Sequence, residues 1–132
     1  MIIDASVAFK WLVSEDASDR AIALIGQGQL NVPSLLFAEV GNALWKRMTR
    51  GEISHDEAAS AQLVALEGLV IVHEDASLVP RALELGLHLG HAIYDCVYLA
   101  LAEQLSMPLV TADEKFLKKL IERPVPIEVR KL

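Results

Sequence analysis

The chain has 132 residues and a mass of 14.5 kDa, room for one domain, expected to span residues 1–132, with a core that needs no disulfide or structural metal. Hydrophobic residues make up 53% and charged residues 23%, which excludes a disordered chain. No apolar run reaches the roughly 18 residues of a membrane span, and Met1-Ile2-Ile3-Asp4 lacks the basic and apolar regions of a secretory signal, so a cytoplasmic protein with no membrane partner is expected. The net charge of −6 argues against holding nucleic acid by bulk attraction and leaves only a local basic face. Positive charge gathers near the C-terminus, at Lys115, Lys118, Lys119, Arg123, Arg130 and Lys131, a run that reads as a solvated helix face sooner than as an RNA site.

In chain order, Met1-Ile2-Ile3 reads as a first strand, and Ser6 stands at an N-cap position before Val7-Ala8-Phe9-Lys10-Trp11-Leu12. A helix is predicted over Asp16 to Ile25, ended by Gly26 and Gly28, followed by a weak strand over Leu30 to Val32. Pro33 and Ser34 introduce a helix from Leu35 to about Arg50, closed by Gly51. Ser54-His55-Asp56-Glu57 fits a capping box and predicts a helix over His55 to Glu67. Leu69 to Val72 reads as a third strand. Ser77 to Leu89 has helical spacing, with Pro80 tolerated in its first turn and Gly90 as its end. Ala92 to Leu105 is the most apolar helix, and it contains the single cysteine, Cys96, read as a small core residue. Leu109-Val110-Thr111 is a strand, Asp113 to Ile121 a helix, and Ile127-Glu128-Val129 a final edge strand. This alternation predicts an α/β fold with a mainly parallel sheet of four or five strands.

Four acids occupy positions of chemical interest. Asp4 directly follows the first strand, and Asp113 stands two residues beyond the strand ending at Thr111, so both fall at the carboxyl edge of a parallel sheet, where open α/β folds bind ligands. Glu39 and Asp95 interrupt apolar helices, sharing faces with Leu35, Leu36, Asn42 and Ala43 and with Ala92, Tyr98, Leu99 and Ala102 respectively. A desolvated carboxylate needs a cation, a hydrogen-bond network or a raised pKa. Asp4 and Asp113 would serve equally as helix caps, and Glu39 and Asp95 would reach solvent, Arg or Lys under a different helix phase. Ser6 and Thr111 read as cap or strand-end hydroxyls unless the acids converge, and Asn42, one turn after Glu39, is placed to support it. Should the four acids meet, their hard oxygen donors favour Mg²⁺ or Mn²⁺ over Zn²⁺, and one or two ions would fit equally. The four histidines lack a serine or cysteine partner motif. His91, one turn before Asp95, is read as a surface or helix-start residue.

Four segments taken together carry a resemblance. They are Ile2-Ile3-Asp4-Ala5-Ser6-Val7, then Leu36-Phe37-Ala38-Glu39-Val40-Gly41-Asn42-Ala43-Leu44-Trp45, then Ile93-Tyr94-Asp95-Cys96-Val97-Tyr98-Leu99-Ala100-Leu101-Ala102, and last Leu109-Val110-Thr111-Ala112-Asp113-Glu114-Lys115. In this order, over essentially the whole length, they resemble the PIN-domain nucleases and among them the VapC-like toxins. The resemblance implies a three-layer α/β/α fold and Mg²⁺-dependent hydrolysis of RNA phosphodiesters. It implies an acidic cluster of Asp4, Glu39, Asp95 and Asp113, with Asp4 and Asp95 the foremost metal ligands and Ser6 and Thr111 as supporting hydroxyls. It also implies a homodimer restrained by a cognate antitoxin. Three other readings compete. A housekeeping RNA-processing nuclease shares every motif. A phosphatase would need a second acid beside Asp4, which Asp4-Ala5-Ser6-Val7 does not offer. A non-catalytic module would use its acids to receive a partner's arginines.

Overall fold

A computed structural model describes residues 1–54 and 62–132. Five parallel strands form one sheet in the order β3-β2-β1-β4-β5: β1 (Ile2–Ile3), β2 (Asn31–Pro33), β3 (Ile71–His73), β4 (Leu109–Thr111) and β5 (Val129–Lys131). Among the helices between them are α1 (Ala5–Leu12), α2 (Ser18–Ala23), α3 (Leu35–Thr49), α4 (Val79–Leu89), α5 (Ile93–Leu105) and α6 (Glu114–Glu122). The expected α/β class with a parallel sheet is therefore observed. From β1 the chain steps outward to β2 and β3, then returns across the sheet to β4 and β5. With right-handed crossovers this reversal sends α1 to α3 to one face and α4 to α6 to the other. The packing agrees: α1 touches α2 and α3, while α5 lies against α4 and under β1, β2 and β4. The reversal leaves a crevice between the carboxyl ends of β1 and β4.

Burial follows these layers. Ile2, Ile3, Val32, Leu109 and Val110 are buried in the sheet, and every residue of α5 from Cys96 to Ala102 is buried beside it. Fully burying one Leu or Val stabilises by about 1.5–3 kcal/mol, so this central helix and sheet hold the layers together. Among the described residues no single helix is long and apolar enough to cross a membrane.

Several boundaries depart from expectation. Asp4, and not Ser6, caps α1, accepting a hydrogen bond from the Val7 N–H at 3.1 Å. The second helix is shorter than predicted, covering only Ser18–Ala23, and the Trp11 indole N–H donates to the Ala21 carbonyl at 2.8 Å near its end. β2 is Asn31–Pro33 in place of Leu30–Val32, so Pro33 ends the strand, while the helix starts at Leu35 as expected. Leu66–Leu69 takes a 3₁₀ turn, which moves the third strand to Ile71–His73. The last strand is Val129–Lys131 in place of Ile127–Val129, paired from Leu109↔Val129 to Thr111↔Lys131. Its outward Arg130 and Lys131 protect an exposed edge from further pairing. Strands of two or three residues are too short for alternation to fix their ends. Pro80 does sit in the first turn of α4, and Gly90 ends it with φ 61°, a left-handed conformation suited to glycine. Most of the helix predicted over His55 to Glu67 lies outside the described residues.

Candidate active site

Each acid reaches the crevice by a different route. Asp4 follows β1 and is 5% exposed. Its Oδ1 accepts from the Ser6 hydroxyl at 2.5 Å as well as from Val7 N–H. The same Ser6 oxygen accepts the Ala112 N–H at 2.8 Å, tying the end of β1 to the end of β4. Thr111, fully buried at the end of β4, accepts the Asp113 N–H on its hydroxyl at 3.0 Å and lies 3.5 Å from the Ser6 hydroxyl. Asp113 caps α6, its Oδ1 accepting from Lys115 N–H at 2.8 Å and Phe116 N–H at 3.0 Å. For Asp4 and Asp113 the cap reading and the crevice reading are thus both realised.

The other two acids come from helices on opposite faces of the sheet. Glu39 on α3 accepts the Tyr98 hydroxyl of α5 at 2.6 Å. Asp95, in the first turn of α5, meets the Nε2 of His91 at 2.6 Å through its Oδ2. The His91 ring in turn stacks on Phe116 of α6, with centroids 5.0 Å apart and planes inclined by 27°. Asp95 and the capped end of α6 are thereby fixed to one another.

Asp4, Glu39, Asp95 and Asp113 all line one cavity of about 520 Å³, together with Ser6 and Asn42. Asn42 is exposed on the wall and bonds to none of the four acids, so the support expected from it is not seen. Thr111 lies behind the cavity and acts through Ser6 and Asp113. The acids also sense one another. Burial raises the Asp4 carboxyl to about 6, against the hydrogen bonds from Ser6, Thr111 and Val7, with the charge of Asp95 adding to the rise. Glu39 is raised by burial and by Asp95, Asp4 and Asp75, while the Tyr98 bond opposes. Asp95 is raised by burial and by Asp113, with His91 opposing.

The sequence reading passed over several residues here. Tyr98 looked like an apolar neighbour of Asp95 and is the partner of Glu39. His91, singled out by its position one turn before Asp95 but read as a surface or helix-start residue, is Asp95's partner, as its i,i+4 spacing permits. Asp75, two residues past β3, adds to the negative potential at Glu39, and its Oδ1 is buried without a hydrogen bond. The cations at the cavity are Lys10, Lys46, Arg47 and Arg50. The C-terminal basic run does not line it: Lys131 pairs with Glu114 at 2.6 Å, Arg130 with Glu128 at 2.7 Å, and Arg123 donates to the His88 carbonyl at 2.8 Å.

The donor chemistry suits a hard divalent cation. The hydrogen bonds fall on Glu39 Oε2, Asp95 Oδ2 and Asp113 Oδ1, and among the described residues the second oxygen of each makes none. Raised carboxyl pKa values mark negative charge that the protein leaves uncompensated. Among the described residues no three His, Cys, Asp or Glu groups yet stand in an arrangement that could hold a metal ion by itself.

Residues 1–120 match the family model described as the PIN domain. The chain belongs to the PIN domain family. Among its PIN-domain relatives, Ribonuclease VapC3 of Pyrobaculum aerophilum is 34% identical over 122 residues, covering 90% of this chain and 93% of that one. Ribonuclease VapC1 of Mycobacterium tuberculosis is 36% identical over 117 residues, covering 86% of each. Among solved structures, PAE2754 of Pyrobaculum aerophilum superposes with a TM-score of 0.68 at 27% identity, covering 97% of this chain and 81% of its own. VapBC2 of Rickettsia felis, solved with a DNA fragment from its promoter, matches with a TM-score of 0.70 over 99% and 97% of the chains; at 16% identity it speaks to the fold alone.

Proposed function

We propose that this PIN-domain protein is a Mg²⁺-dependent endoribonuclease, with Mn²⁺ an acceptable substitute, and the toxin of a VapBC-like toxin–antitoxin pair. The observation that carries this reading is the convergence of Asp4, Glu39, Asp95 and Asp113, from four separate elements, on one cavity. Relatives at 34% and 36% identity that are named ribonucleases support the substrate class. The chain acts in the cytoplasm as a homodimer of one-domain subunits, and a cognate antitoxin restrains it.

Asp4 and Asp95, with Glu39 and Asp113 beside them, are the groups that would hold a divalent cation. When bound, such an ion supplies Lewis-acid activation of water and of the phosphodiester. The protein's own contribution is to fix the donors. Ser6 and Val7 orient Asp4, Tyr98 orients Glu39, and His91 orients Asp95, each through a carboxylate oxygen. Partners of this kind typically change metal affinity or activity by about 10- to 100-fold.

Incubation of the purified protein with structured RNAs and Mg²⁺ tests the reading, with chelator and Asp95→Asn as the two controls. Internal cleavage is expected with metal alone, and Asp95→Asn is expected to reduce it by more than about 100-fold, beyond the effect of an orienting partner. Cleavage that persists in chelator, or that survives Asp95→Asn, would sink the proposal. Absence of cleavage with either metal would leave the acids as a docking site for a partner's arginines.

A further inference from the structure

The cavity that gathers the acids has a second half of opposite charge. Lys10 from α1 and Lys46, Arg47 and Arg50 from the end of α3 line it. At 3.6 residues per turn, Glu39, Ala43, Lys46 and Arg50 form one stripe along α3, with the small Ala43 between acid and cations. At a rise of 1.5 Å per residue, Lys46 lies about 11 Å and Arg50 about 17 Å along the axis from Glu39.

These cations differ in how far they are already committed. The Lys10 ammonium donates to Glu15 and to the Asp16 carbonyl, both at 2.8 Å. Arg47 donates to Glu15 at 2.6 Å and to Glu52 at 2.9 Å, with its guanidinium 5.7 Å above the Phe9 ring. Glu15 is therefore an internal anion clasped between two cations of the cavity. Among the described residues Arg50 has only a 4.0 Å contact with Glu52, and Lys46 has no side-chain partner.

An RNA strand approaching the acids meets repulsion from the carboxylates and from a chain of net charge −6. Local cations must offset that repulsion for a phosphate to reach the crevice. We infer that the cationic half of the cavity binds backbone phosphates of single-stranded RNA flanking the bond at the acids. Lys46 and Arg50 make the contacts, and Glu15 competes with phosphate for Lys10 and Arg47. One helix stripe can follow one backbone, which suits a single strand. The inference rests on the nuclease reading for the identity of its ligand. It differs from a purely structural role in which basic residues at the end of α3 complement the helix dipole.

The test measures binding of a labelled single-stranded oligoribonucleotide to the whole protein in chelator, so that nothing is cleaved, by fluorescence anisotropy across about 50–200 mM KCl. Replacing Lys46 and Arg50 together by Ala is expected to weaken binding and to flatten log Kd against log salt by about 1.4, at roughly 0.7 per lost phosphate contact on a single strand. Glu15→Gln is expected to tighten binding and steepen the slope by freeing Arg47 and Lys10. A double variant that loses melting temperature but keeps the wild-type slope would overturn the inference in favour of the dipole role. A Glu15→Gln protein that folds normally and binds no more tightly would overturn the competition. Binding is read without metal, so an unchanged slope in a protein that cleaves RNA refutes this site alone, and a flattened slope in a protein that never cleaves refutes the nuclease reading alone.

Discussion

Helix α5 carries two acids, Asp95 and Glu103, a little over two turns apart and in opposite circumstances. Glu103 is gripped by Arg81 through two parallel hydrogen bonds, 2.7 and 2.9 Å long, and that pairing holds its carboxyl below the usual range. Among the described residues Asp95 has only His91, at one oxygen; burial raises its carboxyl, and nearby Asp113 raises it further. The chain has cations within reach of its acids when it needs them, as Arg81 shows. Among the described residues no Lys or Arg pairs with any of the four crevice acids, although Lys10, Lys46, Arg47 and Arg50 line the same cavity, so the free carboxylate oxygens are what a cation from solution would find. Satisfied charge on α5 ties helices together, and unsatisfied charge builds a site.

If that contrast is correct, the two ends of α5 should respond very differently to substitution. The largest effect is expected from His91→Ala, which frees the Asp95 carboxylate to rotate and removes the stack on Phe116. RNA cleavage should fall by about 10- to 100-fold and need more Mg²⁺ for half-maximal rate, while the far-ultraviolet spectrum stays native. A rate within twofold of wild type at every Mg²⁺ concentration would show that His91 does not position Asp95.

An intermediate effect, of opposite sign for stability, is expected at Asp4. Its carboxyl is raised to about 6, so between the ordinary carboxylate range and that value the folded state holds more protons than the unfolded one. The stabilising contribution is present below pH 3.8 and is lost as pH rises through about 6. Asp4→Asn keeps an oxygen to accept from Ser6 and Val7 and removes the buried charge. In metal-free buffer at pH 8 urea unfolding should show a gain of up to about 3 kcal/mol, and near pH 3 almost none. Equal gains at both pH values would refute the charge-burial account. The smallest effect is expected from Glu103→Gln, below about 1 kcal/mol in stability and without change in cleavage rate, because the pair is partly exposed.

How much of this could be read beforehand differs from residue to residue. Asp4 and Asp113 are visible because a short apolar strand precedes each, and Glu39 and Asp95 because charge is out of place on an apolar helix. Tyr98 was hidden by its own apolar ring, since nothing in helical spacing says that its hydroxyl spans from α5 to Glu39 on α3. The bridge from Ser6 to Ala112 joins two strands that are neighbours only in three dimensions. Arg47 and Glu15 are equally remote in sequence, so their clasp carries no local signal. The cationic stripe on α3 is different: Lys46 and Arg50 follow Glu39 at helical intervals, a spacing legible in the sequence, but charge density alone favours the C-terminal run, which does not line the cavity. The last strand was misplaced because Ile127 and Val129 alternate as plausibly as Val129 and Lys131 do.

The central position of β1 has a consequence in time. It is the first strand made, yet its partner β4 pairs with it through Ile2↔Leu109 and Ile3↔Val110. On a ribosome adding about 5–20 residues per second, Ile2 waits roughly 5 to 20 s for that neighbour. Until then the Ser6 hydroxyl has no Ala112 to hold, and Asp113 does not exist. A chain halted before β4 carries three of the four acids and no crevice to put them in. Whatever chemistry the crevice performs is therefore confined to molecules whose β4 has been made.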